Sequence, residues 1–212
     1  MTNTISVTSI LFRRQQHYFG DQFQPQIAEI QRLYQVNGLN RSGTKARDVD
    51  GYKLWYSGSV RHRNGVGILV DEKLGEQVVE VKRVSDKLMS IKLVIGGSTV
   101  NVISVYAPQV GLEEKEKKEF WEVLDEVVRS ILSNKNLLVE GDFNGHIRSL
   151  PRGFEDVHGG FGLKERNEGE SALLDFSGAF GLWIANSNFP KKEEHLIMFC
   201  SSMAKTHRLF AS

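Results

Sequence analysis

Two antiparallel-rich sheets with helices outside them is the fold class that this sequence predicts. Three observations lead there. Short alternating segments separated by glycine-bearing connections fill residues 51–106, the pattern of a strand meander. Two stretches with helical periodicity, Leu112 to Ser133 and Ser171 to Phe180, follow it. The resulting order is helix, meander, helix, strand, helix, strand, strand, not the regular alternation of a doubly wound nucleotide fold.

A helix is expected over Pro25 to Gln35. Pro25 suits a first helical position, and Ile27, Ile30, Leu33 and Tyr34 share one face. From Gly51 the texture changes to strands. Tyr52 to Tyr56 alternates, and Gly65 to Val70 is short, apolar and interrupted by glycine. Gln77 to Lys82 puts Val79 and Val81 on one face. Leu88 to Val94 does the same for Met89, Ile91 and Leu93, and Thr99 to Tyr106 for Val100, Val102 and Tyr106. Asp71–Glu72–Lys73–Leu74–Gly75 and Ile95–Gly96–Gly97–Ser98 read as hairpin connections. In the long helix Phe120, Leu124, Val127, Val128 and Ile131 recur at helical spacing, and Glu113 to Glu119 forms its solvated first turns. Leu137 to Val139 is a brief apolar strand expected at the centre of a sheet. Gly181 fits a helix stop, and Leu182 to Asn186 and Leu196 to Cys200 complete the strands. Val100, Val102, Leu124, Val128 and Leu138 are expected to be buried.

The chain has 212 residues, 40% of them hydrophobic and 25% charged, which suits one soluble domain with a sizeable core. A net charge of +1 excludes a histone-like binder but leaves room for a local basic patch. No apolar run approaches the roughly 20 residues of a membrane span. The start lacks the basic n-region of a signal peptide. Cys200 is the single cysteine, so there is no internal disulfide and no cysteine-built zinc site. An intracellular setting, nuclear or cytoplasmic, is expected.

The strongest chemical signal is Gly141–Asp142–Phe143–Asn144 after a buried strand. On an extended segment Asp142 and Asn144 point the same way, and a carboxylate beside a carboxamide can hold a hydrated metal and a phosphate. An Asx-type turn without chemistry explains the same residues and is the commoner reading of the pattern alone. In Tyr106–Ala107–Pro108–Gln109, Pro108 ends a strand and the Tyr106 hydroxyl could reach a phosphate, although a half-buried core tyrosine is the commoner reading of the pattern alone. The six histidines show no metal-binding spacing. Arg47, Arg61 and Arg63 read as a solvated face. Gly65–Val66–Gly67 lacks the third glycine and the helix of a dinucleotide fingerprint. Arg166–Asn167–Glu168 reads as a polar loop.

Together, and in order, several segments resemble one family. They are Lys45 to Trp55, Arg63–Asn64–Gly65–Val66–Gly67–Ile68, Tyr106–Ala107–Pro108–Gln109, Gly141–Asp142–Phe143–Asn144–Gly145–His146, Val157–His158–Gly159–Gly160, Arg166–Asn167–Glu168 and Leu173–Leu174–Asp175–Phe176. From about Thr44 to Phe199 the chain resembles the endonuclease domain of RTE-type non-LTR retrotransposons. That domain also occurs in proteins named craniofacial development protein 2-like and belongs to the endonuclease/exonuclease/phosphatase superfamily. The resemblance implies a four-layered α/β sandwich and Mg²⁺-dependent hydrolysis of DNA phosphodiester bonds. By position, Asp142 would act on the attacking water or the leaving oxygen, and Asn144 and Tyr106 would orient and contact the phosphate. Arg166, Asn167 and Gln109 would lie against DNA.

The chain also departs from the family pattern. Ser6 stands for the Asn of the family's first strand, and Gly38 stands for its metal-binding Glu. Lys205–Thr206–His207–Arg208–Leu209–Phe210 replaces the start of the run that leads to the family's Asp–His pair. Asp142 is the candidate cation ligand that remains. Glu140 would share its face only if no bulge intervenes. Residues 1–43 are accordingly read as a degenerate N-terminal part, and 44–212 as the domain itself with its C-terminal end cut short. The expected function is a retrotransposon-derived endonuclease-like domain whose Mg²⁺-dependent reaction is impaired. Weak DNA binding, no membrane partner and a monomeric state are expected. A catalytically inactive DNA- or protein-binding remnant is the alternative, and a phosphomonoesterase of the same superfamily is a further one.

Overall fold

A computed structural model describes residues 9–13, 33–39, 46–58, 65–109, 112–131, 136–144, 153–154, 156–157, 159, 168–184, 197–200 and 207–209. Strands β1 (Ser9–Arg13), β6 (Val78–Arg83), β7 (Leu88–Ile95), β8 (Ser98–Tyr106), β9 (Asn136–Asp142) and β10 (Leu182–Ile184) form a six-stranded sheet in the order β10-β1-β9-β8-β7-β6. Strands β2 (Leu33–Leu39), β3 (Ala46–Val49), β4 (Tyr52–Ser57) and β5 (Gly65–Asp71) form a second sheet in the order β2-β5-β4-β3. A two-stranded ribbon joins β11 (Ile197–Cys200) to β12 (His207–Leu209). Among the described residues three helices lie between strands: α1 (Glu72–Gly75), α2 (Glu114–Ile131) and α3 (Glu168–Phe180).

Pairing is antiparallel except between β8 and β9. A parallel pair needs a crossover, and α2 supplies it. This crossover brings the C-terminal ends of β8 and β9 side by side.

The six-stranded sheet is covered on both faces. Met89, Ile91, Leu93, Val100, Val102 and Leu138 pack against Trp55, Val66, Ile68 and Val70 of the second sheet. Leu88, Ile103, Val105, Leu137 and Val139 pack against Phe120, Leu124 and Val128 of α2 and Leu173, Leu174 and Phe180 of α3. The alternation expected for β7 and β8 and the helical stripe of α2 are both present. The five residues expected in the core are all buried. The layers are helix, sheet, sheet; the helical layer expected outside the second sheet falls outside the described residues. On the outer face of the second sheet, among the described residues, Tyr56 packs with Leu54 and Leu69.

The structure corrects three local expectations. Leu33, Tyr34 and Gln35 belong to β2, antiparallel to β5, and not to a helix; the rest of the segment from Pro25 lies outside the described residues. Its Ile and Leu spacing fits a helix, but β5 offers a ladder that apolar and aromatic residues fill well. Asp71 to Gly75 is not a hairpin connection. The Asp71 carboxylate accepts a hydrogen bond from Leu74 N at 2.7 Å and caps the one-turn helix α1. That turn leads the chain from the second sheet to β6 of the first. Val79 is 60% exposed, because the register slips between Val78 and Glu80 and a bulge turns it outward.

The connection at Gly96 and Gly97 is a tight hairpin as expected, both residues having positive φ (+56° and +78°). Helix α3 ends at Gly181, φ +60°, also as expected. No helix among the described residues is long and apolar enough to cross a membrane. Strands β1 and β2, from the first 43 residues, are built into the two sheets.

Candidate functional site

The β8–β9 ladder runs without a register shift from Val100↔Asn136 to Ser104↔Glu140, Val105↔Gly141 and Tyr106↔Asp142. It extends one step past the strands, where Ala107 N donates to Asp142 O at 2.8 Å. Residues paired across parallel strands share a face of the sheet. Ser104 Oγ points at the second sheet, 3.4 Å from the Gly67 carbonyl, and Tyr106 packs on the cluster between the sheets. Alternation from Leu138, in that same cluster, puts Glu140 and Asp142 on this face. Ser104, Tyr106, Glu140 and Asp142 thus form a two-by-two block of oxygen-bearing side chains at one sheet end.

Beyond Asp142 the chain is not extended. Asn144 N donates to Asp142 Oδ1 at 2.9 Å, and Asn144 has φ +50°. This is the Asx-type turn that the sequence left open. The Asn144 side chain does not run parallel to that of Asp142. Its Nδ2 donates to the Ala107 carbonyl at 2.6 Å, a buried bond that ties the two strand ends together. Phe143, between them, sets this geometry. Its ring enters the helix-side core and stacks on Trp121 with centroids 6.1 Å apart, so the backbone must turn around it. The turn aims the Asp142 carboxylate while spending the Asn144 amide on structure.

Gln109 is exposed and donates from Nε2 to the Tyr106 hydroxyl at 3.1 Å, extending the same surface. Arg166, Asn167 and Ser6 lie outside the described residues. Gly38 lies in β2, at the register irregularity opposite β5. Strand β2 also approaches β9 across the two sheets.

Glu140 is the residue whose significance the sequence did not decide. Because β9 has no bulge against β8, Glu140 shares the face of Asp142. It is 7% exposed, and burial pushes its carboxyl up from the ordinary 4.5 to about 7. It has no hydrogen bond or ion pair with another described residue. In metal-free protein this raised value sets a sign for stability against pH. Between about pH 4.5 and 7 the folded protein keeps a proton that the unfolded chain has released. The contribution is therefore full below pH 4.5 and is lost as pH rises through about 7, amounting to about 3 kcal/mol. Urea unfolding in chelator at about pH 5 and pH 8 should show Glu140→Gln gaining on the parent as pH rises. An equal pH dependence in both proteins contradicts the assignment.

The donor chemistry suits a hard divalent cation: carboxylate and hydroxyl oxygens on one face, with no thiolate or imidazole beside them. No group of three His, Cys, Asp or Glu side chains comes together among the described residues.

No protein-family model matches the chain. It is similar to craniofacial development protein 2 of Tragulus javanicus, 27% identical over 168 residues, which is 78% of this chain and 29% of that protein. The Bos taurus protein of the same name is also 27% identical over 168 residues, 28% of its length. The chain thus spans less than a third of the curated relatives it matches. The similarity agrees with the resemblance drawn from the motifs. Among solved structures, the endonuclease domain of TRAS1, a telomere-specific non-LTR retrotransposon, matches with a TM-score of 0.49 and 15% identity. That match covers 76% of this chain and 64% of the domain.

Proposed function

We propose that this chain is a retrotransposon-derived endonuclease-like domain that keeps the phosphate-side half of a phosphodiester site and hydrolyses DNA poorly or not at all. The observation that carries the reading is the pairing of Tyr106 with Asp142 at adjacent parallel strand ends, closed by Asn144. Such a corner presents a phenol and an aimed carboxylate to one phosphate. Asp142 would accept a proton from an attacking water, its orientation held by the Asn144 backbone N–H. Tyr106 would donate to a phosphoryl oxygen, with Gln109 holding its hydroxyl. A bound divalent ion would supply charge neutralisation at the phosphoryl oxygens. Arg166 and Asn167 would flank the DNA.

Two positions argue for impairment. Gly38 stands where the resemblance puts an anchoring Glu, and Ser6 offers only a neutral hydroxyl. Losing charge stabilisation at the phosphate costs on the order of 10²-fold in rate, and losing a placed proton-transfer group about 10²- to 10⁴-fold. The losses fall on one assembly, so they do not simply multiply.

The purified chain is therefore expected to nick supercoiled plasmid in Mg²⁺ at close to the background rate and to bind DNA weakly, with strong salt dependence. Robust Mg²⁺-dependent nicking that disappears in Asp142→Ala contradicts the impairment. DNA affinity without nicking, reduced by Tyr106→Ala and Gln109→Ala, favours the binding remnant as the surviving role. Hydrolysis of small phosphomonoesters in place of DNA would point to the phosphomonoesterase reading instead.

A further inference from the structure

We infer that Glu140 and Asp142 together bind one divalent cation, with Ser104 Oγ beside them, so that Glu140 supplies the carboxylate that Gly38 cannot. This deepens the phosphodiester-site reading and rests on it for the choice of a hard divalent ion.

Three independent features converge. The first is placement. Glu140 and Asp142 lie two residues apart on one face of β9, and the ladder to β8 is unbroken beside them. At about 3.3 Å per residue the two backbone positions are about 6.6 Å apart. Side chains of that type can meet around an ion whose oxygen bonds are about 2.0–2.6 Å long.

The second is the state of Glu140 itself. It is 7% exposed and has no cationic or hydrogen-bonding partner among the described residues. An isolated buried carboxylate is strongly disfavoured, so the group either keeps a proton or is neutralised by a cation that it binds. The site has no lysine, arginine or histidine placed to do this among the described residues. Asp142 is only half-buried, which leaves a solvent route for an ion to the strand ends.

The third is the composition of the block. Each carboxylate has a hydroxyl across the ladder, Ser104 beside Glu140 and Tyr106 beside Asp142. Ser104 Oγ donates only a long hydrogen bond, 3.4 Å, to Gly67 O, and keeps its acceptor lone pairs. An all-oxygen set with two carboxylates suits hard ions such as Mg²⁺, Mn²⁺ or Ca²⁺.

The test is cation binding by the full chain in the absence of DNA. Mn²⁺ is titrated by calorimetry and by electron paramagnetic resonance at one fixed pH, with Mg²⁺ as competitor. The parent is expected to bind about one Mn²⁺ that Mg²⁺ displaces. Removing an outer contact to a ligand typically weakens a metal by about 10- to 100-fold, so Glu140→Gln and Asp142→Asn should each weaken it by at least about tenfold. Glu140→Gln is near-isosteric and Asp142→Asn changes a strand-end residue, so failure of one variant to fold leaves the other to decide. A parent that binds no Mn²⁺ at millimolar concentration overturns the inference, as does affinity unchanged in either folded variant. Binding without nicking supports the inference and leaves the nuclease reading to the plasmid assay. Robust Mg²⁺-dependent nicking that survives Glu140→Gln unchanged overturns the inference and contradicts the impairment, whereas absence of Mn²⁺ binding by the parent overturns only the inference.

Discussion

Gly141→Ala is expected to destabilise the protein by more than about 3 kcal/mol, above the usual range for overpacked sites. A Cβ at this position would sit 2.3 Å from the Val105 carbonyl oxygen and 2.3 Å from Val105 Cγ2. The Val105 side chain is fully buried and cannot move aside, and its carbonyl belongs to β8. The methyl group must therefore push β9 away from β8. That movement would also lengthen the Ala107 N to Asp142 O bond and the Asn144 Nδ2 to Ala107 O bond, both of which cross the same seam. Urea denaturation should show the loss of stability, and hydrogen exchange should show faster opening at Ala107. Near-parental stability in this variant would contradict the close approach of β9 to β8 at Gly141.

Phe143→Ala is expected to cost about 3–5 kcal/mol, the range for emptying an aromatic site in a core. The ring is 2% exposed and stacks on Trp121, which also contacts Phe120 and Phe176. Its loss leaves a cavity between the strand end and helices α2 and α3. The ring also shapes the turn that aims Asp142, so binding of Mn²⁺ should weaken along with stability. Phe143→Leu, which keeps part of the volume, should recover most of both. Intact Mn²⁺ binding in a destabilised Phe143→Ala protein would separate the turn from the core packing and contradict this coupling.

Glu140 shows how a site residue can be visible yet undecided in a sequence. It precedes Asp142 by two, so the period of a strand proposes a shared face. A single bulge would reverse that, as happens to Val79 in β6. Bulges depend on the partner strand, and no local pattern in Val139–Glu140–Gly141–Asp142 reports the register with β8. Asn144 illustrates the converse. Its nearness to Asp142 was plain, but the direction of its amide depended on the Ala107 carbonyl, 37 residues away in sequence.

The motifs that carry the family resemblance separate in the same manner. Within Lys45 to Trp55, Ala46 to Trp55 forms the β3–β4 hairpin, turning at Asp50 and Gly51 with φ +46° and +80°. Val66, Gly67 and Ile68 are buried strand, and Leu173, Leu174 and Phe176 are core. These segments specify a scaffold. Among the described residues, only Tyr106, Gln109, Asp142 and Asn144 of the candidate set meet at one place.

By itself the sequence determined the class of the fold, the core faces of β7, β8 and α2, the glycine stops at Gly96, Gly97 and Gly181, and the Asp142 turn as the point of interest. Each of these rests on short-range periodicity or on backbone freedom at single residues, which neighbouring residues already express. Only the tertiary structure decided that residues 33–35 are strand, that Asp71 begins a helical turn between sheets, and that Glu140 lies buried on the face of Asp142. Those outcomes depend on which strand lies alongside, since ladder hydrogen bonds and burial come from partners distant in sequence and can outweigh a local preference of a few tenths of a kcal/mol per residue.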